Sequence, residues 1–429
     1  MEDYTNSSST TIPDSNPLAM PPYAFLVPLI IYLLLAALLR HHRVRTTLES
    51  HPYTNRRSFA SMTLEDAFQI QLSLSRLEFP FIFVKALQFA LFRTYGIPSI
   101  SKLLVQTTEF TEPATASKRY TDTGVLINDF VQYHPKSPRA IEAVGRMNFA
   151  HSLYLKSGKI SNDDMLYTLS LFALEPGRWI DRYEWRKLED FERCAVGAFW
   201  KEIGDAMGIG FEKLKSGGEG GAGWVDGLQW LEEVEVWGEE YEQRCMVPHK
   251  DNWKTAEQTM GLLLWGVPQA LKPFGKKVVC VLMDDRLRRA MMYPTPPQLY
   301  LTLVPLLLAL RKYAIRHFFF PRPYFLRVQN TTEEPSKDGN FFMNDFAAAP
   351  WYVKPTIWNR WGPLAWKARL MGLPLPGDEG DKYGPKGYKI RDVGPESMRG
   401  RGMNFMQGEK ERLQEMRKIA CPFGRVKAE

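Results

Sequence analysis

Between Asp14 and Arg40 the chain carries no charged side chain, and that gap constrains everything else about its fold. Within it, Ala24 to Leu39 reads AFLVPLIIYLLLAALL. At about 1.5 Å of rise per residue, a helix from Leu18 to Leu39 just crosses a hydrocarbon core of roughly 30 Å. Apolar character on all sides suits lipid better than the edge of a folded core. Pro28, near the start of the run, is tolerated in a membrane helix. Arg40, His41, His42, Arg43 and Arg45 follow at once, and positive charge keeps its side of a span in the cytosol. The expectation is a single-pass anchor over 18–39, a short lumenal tail over 1–17 and the bulk of the chain in the cytosol. A cleaved signal peptide fits worse, because neither a basic leading segment nor a small-residue cleavage site is present. Asn6-Ser7-Ser8 in the tail forms a glycosylation sequon.

Roughly 380 residues remain beyond the anchor, room for one large domain or two closely packed ones. The chain is 45% apolar and 24% charged, the balance of an ordinary folded protein. With a net charge of +7 overall and −3 within Met1 to Met20, the remainder carries +10. That excess suits a solvated surface beside an anionic leaflet. No recognised motif and no dense basic patch with interleaved aromatics suggests a nucleic-acid partner. The four cysteines, Cys194, Cys245, Cys280 and Cys421, lie far apart and form no CxxC pair. This argues against a disulfide framework or a zinc site and fits a reducing compartment.

Residues 40–63 read as a basic juxtamembrane linker, and 64–320 as a helical domain. Phe79 to Phe92 is strongly apolar but interrupted by Lys85 and too short for a confident second span. Apolar spacing predicts helices over Arg139 to Leu155, Leu188 to Met207 and Gly227 to Glu242. Ser161 is placed to cap the helix that carries Met165, Leu166, Leu169 and Phe172, with Pro176-Gly177 near its end. Gly217 to Gly223 is a surface loop without the lysine and hydroxyl residue of a phosphate cradle. Leu299 to Leu310, interrupted by Thr302 and Pro305, is too short to span and reads as a core helix or a patch resting on the membrane. From 321 to 429 proline, glycine and aromatics dominate, as in an irregular arm wrapped over the domain. Clean alternating strands and internal repeats are missing, so the fold class is all-α.

Histidine is the informative residue for chemistry. His41 and His42 belong to the membrane-flanking cluster, and His51, His134, His249 and His317 sit among prolines and basic residues. His151 differs: it stands mid-helix, with Val144, Met147, Tyr154 and Leu155 at helical spacing around it. An imidazole on an apolar stripe can be a hydrogen-bonded core residue, and it can also be an axial haem ligand. The sequence shows no HExxH zinc pattern, no nucleophile elbow and no dinucleotide fingerprint. Asp163-Asp164, at a helix start, and Asp284-Asp285, followed by Arg286, Arg288 and Arg289, read as local ion pairs.

The stretch RMNFAHSLY (Arg146 to Tyr154), then GKISNDDMLYTLSLF, EPGRWIDRYEWR, FWKEIGDAMGI, MVPHKDNWKTA, VLMDDRLRRAMMYPTPP and KPTIWNRWGPLAW, resembles the fungal ER-bound oxygenase MpaB family. The likeness runs from about Thr115 to Trp366, with an anchor in the same place. That family is in turn similar to the latex-clearing rubber oxygenases, all-α proteins that carry haem b and cleave alkenes with O2. The resemblance implies an iron-haem oxygenase on the endoplasmic reticulum membrane. Its implied substrate is a prenylated or otherwise lipophilic alkene, cut at a carbon–carbon double bond. His151, with Arg146 before it, falls where the family's proximal ligand lies. Arg119 and Thr123 match an upstream element lining the distal side. The rubber oxygenases place a lysine just before that threonine; here the position is Asp122, with Lys118 nearby as a substitute. The alternative is a non-catalytic anchored scaffold or binding protein in a biosynthetic assembly.

Overall fold

The computed structural model describes residues 23–51, 53–107, 113–218, 223–346, 349–418 and 422–423. The tail expected to be lumenal, with its sequon at Asn6, and Cys421 lie outside these residues. The apolar segment is helix α1 (Tyr23–Arg40), which runs unbroken through Pro28. The expected linker holds α2 (His42–Ser50) and α3 (Arg56–Phe59). The domain then runs α4 (Leu64–Ser73), α5 (Pro80–Thr94), α6 (Pro98–Gln106), α7 (Pro113–Val131), α8 (Pro138–Lys156) and α9 (Asn162–Tyr183). It continues through α10 (Asp190–Ala206), α11 (Gly227–Cys245), α12 (Lys250–Leu263), α13 (Lys272–Leu282), α14 (Asp285–Ala290) and α15 (Gln298–Phe318). The C-terminal arm carries α16 (Ile357–Trp361), α17 (Pro363–Leu370) and α18 (Met403–Met416). No β-strand forms among the described residues, and three isolated bridges within the arm are the only extended pairing there, so the fold is all-α.

Local chemistry sets the helix starts. Proline opens α5, α6 and α8, where its missing amide costs nothing. Thr63, Ser137, Ser161, Asp226 and Asp284 each accept a hydrogen bond from a first-turn amide of the helix they precede. α9 continues past Pro176-Gly177 to Tyr183. Glu175 braces that stretch by accepting from Arg178 and from Trp179 Nε1 at 2.9 Å. Of the carboxylates expected to pair locally, Asp285 meets Arg288 three residues on, but Asp163 reaches Lys213 and Asp284 reaches Arg93, 50 and 191 positions away.

α9 and α10 are buried on nearly every side, against α5, α11 and α4. α10 and α11 approach closely at two glycines. A Cβ on Gly197 would stand 2.1 Å from Gly227 O, and one on Gly227 would stand 2.2 Å from Cys194 O. Backbone cannot give way as a flexible side chain does. Gly197→Ala is expected to destabilise the fold by about 3 kcal/mol, the upper range for overpacking, as read by urea denaturation in detergent.

Phe79 to Phe92, read as too short for a second span, is α5, a core helix with Ile82, Phe83, Phe89 and Phe92 buried. A second apolar stretch departs from the sequence reading. Leu299 to Leu310 belongs to a longer helix, α15, of 21 residues, in which Val304 is the only buried residue. The helix extends because Arg311 continues its inner stripe and bonds Glu184 at 2.8 Å and the Tyr183 carbonyl at 3.3 Å. The core-helix option for this stretch is therefore excluded. The arm is also less of an appendage than expected. Trp351, Tyr352, Tyr388 and Ile390 join the same apolar core as α9 and α10, and α18 packs on α8.

Candidate functional site

The site forms where α7 and α8 pack together. On α7, Arg119 and Thr123 are four residues apart and share one face, while Lys118 and Asp122 share the next. Arg119, Thr123 and His151 line one cavity of about 200 Å³, so the structure brings these three together. Leu91, Leu126, Met147 and Met165 make its wall apolar, and Tyr154 joins them. The arm adds Val393, Gly394, Pro395 and Met398, and the lining also holds polar groups, the carboxylates of Asp122 and Asp164 among them. Gly394 adopts φ +120°, a conformation that side-chain-bearing residues avoid. Lys159, which the sequence reading passed over, adds a second cation to the lining.

His151 is half-buried, and its Nδ1 is buried with no hydrogen-bond partner. Burial first, and then the charge of Arg119, lower its pKa to about 4. The imidazole is therefore neutral near pH 7, the form that binds metal. An unfolded histidine titrates near 6.5, so between about pH 6.5 and 4 the unfolded chain binds a proton that the folded chain refuses. Stability is present above that window and is lost as pH falls through it, by up to about 3 kcal/mol. Urea melts at pH 7, 5 and 4 should show this slope reduced in His151→Gln relative to the unaltered chain.

Lys118 and Arg146, also expected at the site, do not line this cavity. Lys118 Nζ donates to Asp122 Oδ2 at 2.8 Å and to Gly394 O at 3.0 Å, and it faces a separate polar cavity beside the arm. Asp122 also accepts from Tyr352 Oη at 2.6 Å. Burial raises its pKa against the pull of Lys118. The Lys118–Asp122 pair thus ties α7 to the arm. Arg146 is five residues before His151, about 140° around the helix, so the two cannot share a face. Its guanidinium donates instead to three arm carbonyls: Val393 at 2.8 Å, Met398 at 3.0 Å and Arg401 at 3.1 Å.

A haem would need a neutral imidazole donor, an apolar slot and nearby cations for its carboxylates. His151, the leucine and methionine walls, and Arg119 with Lys159 meet those needs. The orphaned ring nitrogen of His151 is the strongest sign of an absent partner. Ligand pockets begin near 300 Å³, so this cavity alone is small. A second apolar cavity of about 260 Å³, between α5 and α7, adjoins it and shares Leu91 and Thr123 with it.

No protein-family profile matches this chain. Among curated proteins it is 47% identical over 395 residues to the ER-bound oxygenase mpaB' of Penicillium brevicompactum, covering 92% of this chain and 93% of that one. It is 44% identical over 366 residues to the ER-bound oxygenase mpaB of the same organism, covering 85% and 86%. To the ER-bound oxygenase mpaB of Penicillium roqueforti it is 50% identical over 272 residues, covering 63% of this chain and 90% of that one.

Proposed function

The chain belongs to the MpaB family of ER-bound oxygenases, and from that premise we propose that it is a haem-dependent enzyme cleaving a carbon–carbon double bond of a prenylated or similarly lipophilic substrate. The observation that carries this reading is the neutral, unpartnered imidazole of His151 in an apolar cavity beside Arg119. Haem b, held through its iron by His151, supplies the O2 activation that organic side chains cannot. One O2 furnishes both carbonyl oxygens of the two fragments, so the overall reaction balances without an external reductant.

The protein's own groups do the rest. Burial keeps the His151 ring unprotonated and available as a donor. Arg119 places positive charge in an apolar cavity where negative charge grows on oxygen, and low polarity strengthens that attraction. Thr123 donates its hydroxyl hydrogen to Arg119 O at 3.0 Å, so it offers the cavity its methyl group and oxygen lone pairs. Leucine and methionine walls exclude water from a greasy chain. The apolar cavity shared at Leu91 and Thr123 gives an isoprenoid tail a place to lie.

Membrane attachment completes the proposal. α1 lies in the endoplasmic reticulum membrane as a single span, and the basic cluster after it holds the domain on the cytosolic side. Anchoring concentrates the enzyme where prenyl chains partition. The test uses the full chain in lipid nanodiscs with added haemin. Reduction by dithionite and exposure to CO should give a histidine-ligated haem spectrum. Incubation under ¹⁸O2 with an aromatic acid bearing a farnesyl chain should yield two carbonyl fragments, each labelled. A folded chain that stays colourless with haemin present would overturn this reading and favour the scaffold alternative.

A further inference from the structure

A surface helix of a soluble domain turns its apolar stripe inward and its polar face to water. α15 is apolar on both faces. Its inner stripe carries Val304, Leu308, Arg311 and Ile315 and is fixed to the domain, with Arg311 bonded to Glu184 and stacked over the Phe81 ring. Its outer face carries Leu299, Leu306 and Leu310, which are 69%, 52% and 55% exposed. The apolar surface continues beyond the helix into Phe319, Phe320, Tyr324 and Phe325, the last 78% exposed. A continuous patch of this kind marks a place where something apolar is met.

The structure also indicates what covers it. The end of α15 is locked to α1: Tyr32 Oη donates to Phe318 O at 2.6 Å, Arg40 donates to the Ile315 and Phe319 carbonyls, and the Tyr32 and Phe320 rings meet edge to face at 4.7 Å. The outer face of α15 is thus continuous with the helix read above as the membrane anchor. Aromatic rings at the C-terminal end of the helix, flanked by exposed Arg316 and Arg322, match the composition favoured where protein meets lipid headgroups. By length alone α15 could cross a bilayer. It cannot be surrounded by lipid, because one face is bonded to the folded domain; it fits in the plane of the interface.

We propose that α15 and the aromatic run after it form a second membrane contact, an in-plane lipid-docking face that seats the domain against the bilayer beside α1. This rests on the anchor reading of α1 but not on haem or catalysis. Arg311 covers Phe81 on α5, and one turn further along α5 Lys85 lines the cavity between α5 and α7.

The test labels the full chain, reconstituted in liposomes, with a membrane-impermeant maleimide and reads each site by mass spectrometry. Four single variants are compared: Leu307→Cys and Leu310→Cys on α15, Leu34→Cys on α1, and Lys386→Cys as an aqueous control, all at exposed positions. The two α15 sites should react at least about tenfold more slowly than position 386, and at similar rates once lipid is replaced by denaturant. If position 34 is shielded while 307 and 310 label as fast as 386, the docking face is wrong and the anchor stands. If position 34 also labels fast, the anchor reading fails and the docking face fails with it. Shielding at 307 and 310 that weakens as protein is diluted at constant lipid would mean that a second copy covers the face, which also overturns the proposal.

Discussion

Purified His151→Ala is expected to remain folded in detergent, to lack the haem absorption band of the unaltered chain, and to lose about a thousandfold of its oxygenase rate, ~4 kcal/mol of transition-state stabilisation. The direction comes from the cavity. Among the residues named for the site, His151 alone offers a neutral nitrogen with its ring edge in an apolar lining. Losing the ring should cost the fold only about 1–2 kcal/mol, since Nδ1 has no hydrogen bond to lose and the residue is half-buried. The vacated space should admit free imidazole. Millimolar imidazole returning the band to His151→Ala would separate ligation from packing. A variant that binds haem as tightly and absorbs as strongly as the original would sink the assignment.

Arg146→Ala is expected to produce the largest loss of stability among the residues near the site, about 3–5 kcal/mol, because it removes a buried charge-assisted clamp and strands three carbonyls. The effect should be present without any haem, which a cofactor-binding role would not give. Limited proteolysis should cut faster between 390 and 402, where the clamped carbonyls lie. Lysine at this position should rescue little, since one ammonium cannot span carbonyls that a planar guanidinium reaches from three nitrogens. Haem affinity is also expected to weaken, but indirectly, because Val393, Gly394 and Met398 form a cavity wall that Arg146 holds in place. Equal thermal stability of variant and parent without haem would remove the clamp from the argument.

What was legible in the sequence depended on how far away the partners were. α8 was expected over Arg139 to Leu155 and spans Pro138 to Lys156, because its apolar spacing and prolines are local signals. The Ser161 cap was legible for the same reason: its partner, the Asp164 amide, is three residues away. α15 was cut short because its apolar run was judged by itself, while the residues that extend it are held by Glu184, over a hundred positions earlier. The arm looked irregular since its many glycines and prolines carry no period, yet it supplies core aromatics and a cavity wall. Of the residues that the family resemblance singled out, Arg119, Thr123 and His151 share one cavity. Lys118 and Arg146 turn instead to Gly394, Val393, Met398 and Arg401, partners that no local pattern connects to α7 or α8.

The arm's share in the cavity wall sets a timetable for making this protein. Arg146 and Val393 are 247 residues apart in the chain. At typical synthesis rates, Val393 leaves the ribosome roughly 20 to 70 seconds after Arg40. On the proposed anchoring of α1, membrane insertion precedes the last wall of the pocket. Nascent chains halted before Val393 should then be membrane-held but, on the proposed haem reading, unable to retain the cofactor until the tail end of the polypeptide returns to close a cavity begun much earlier.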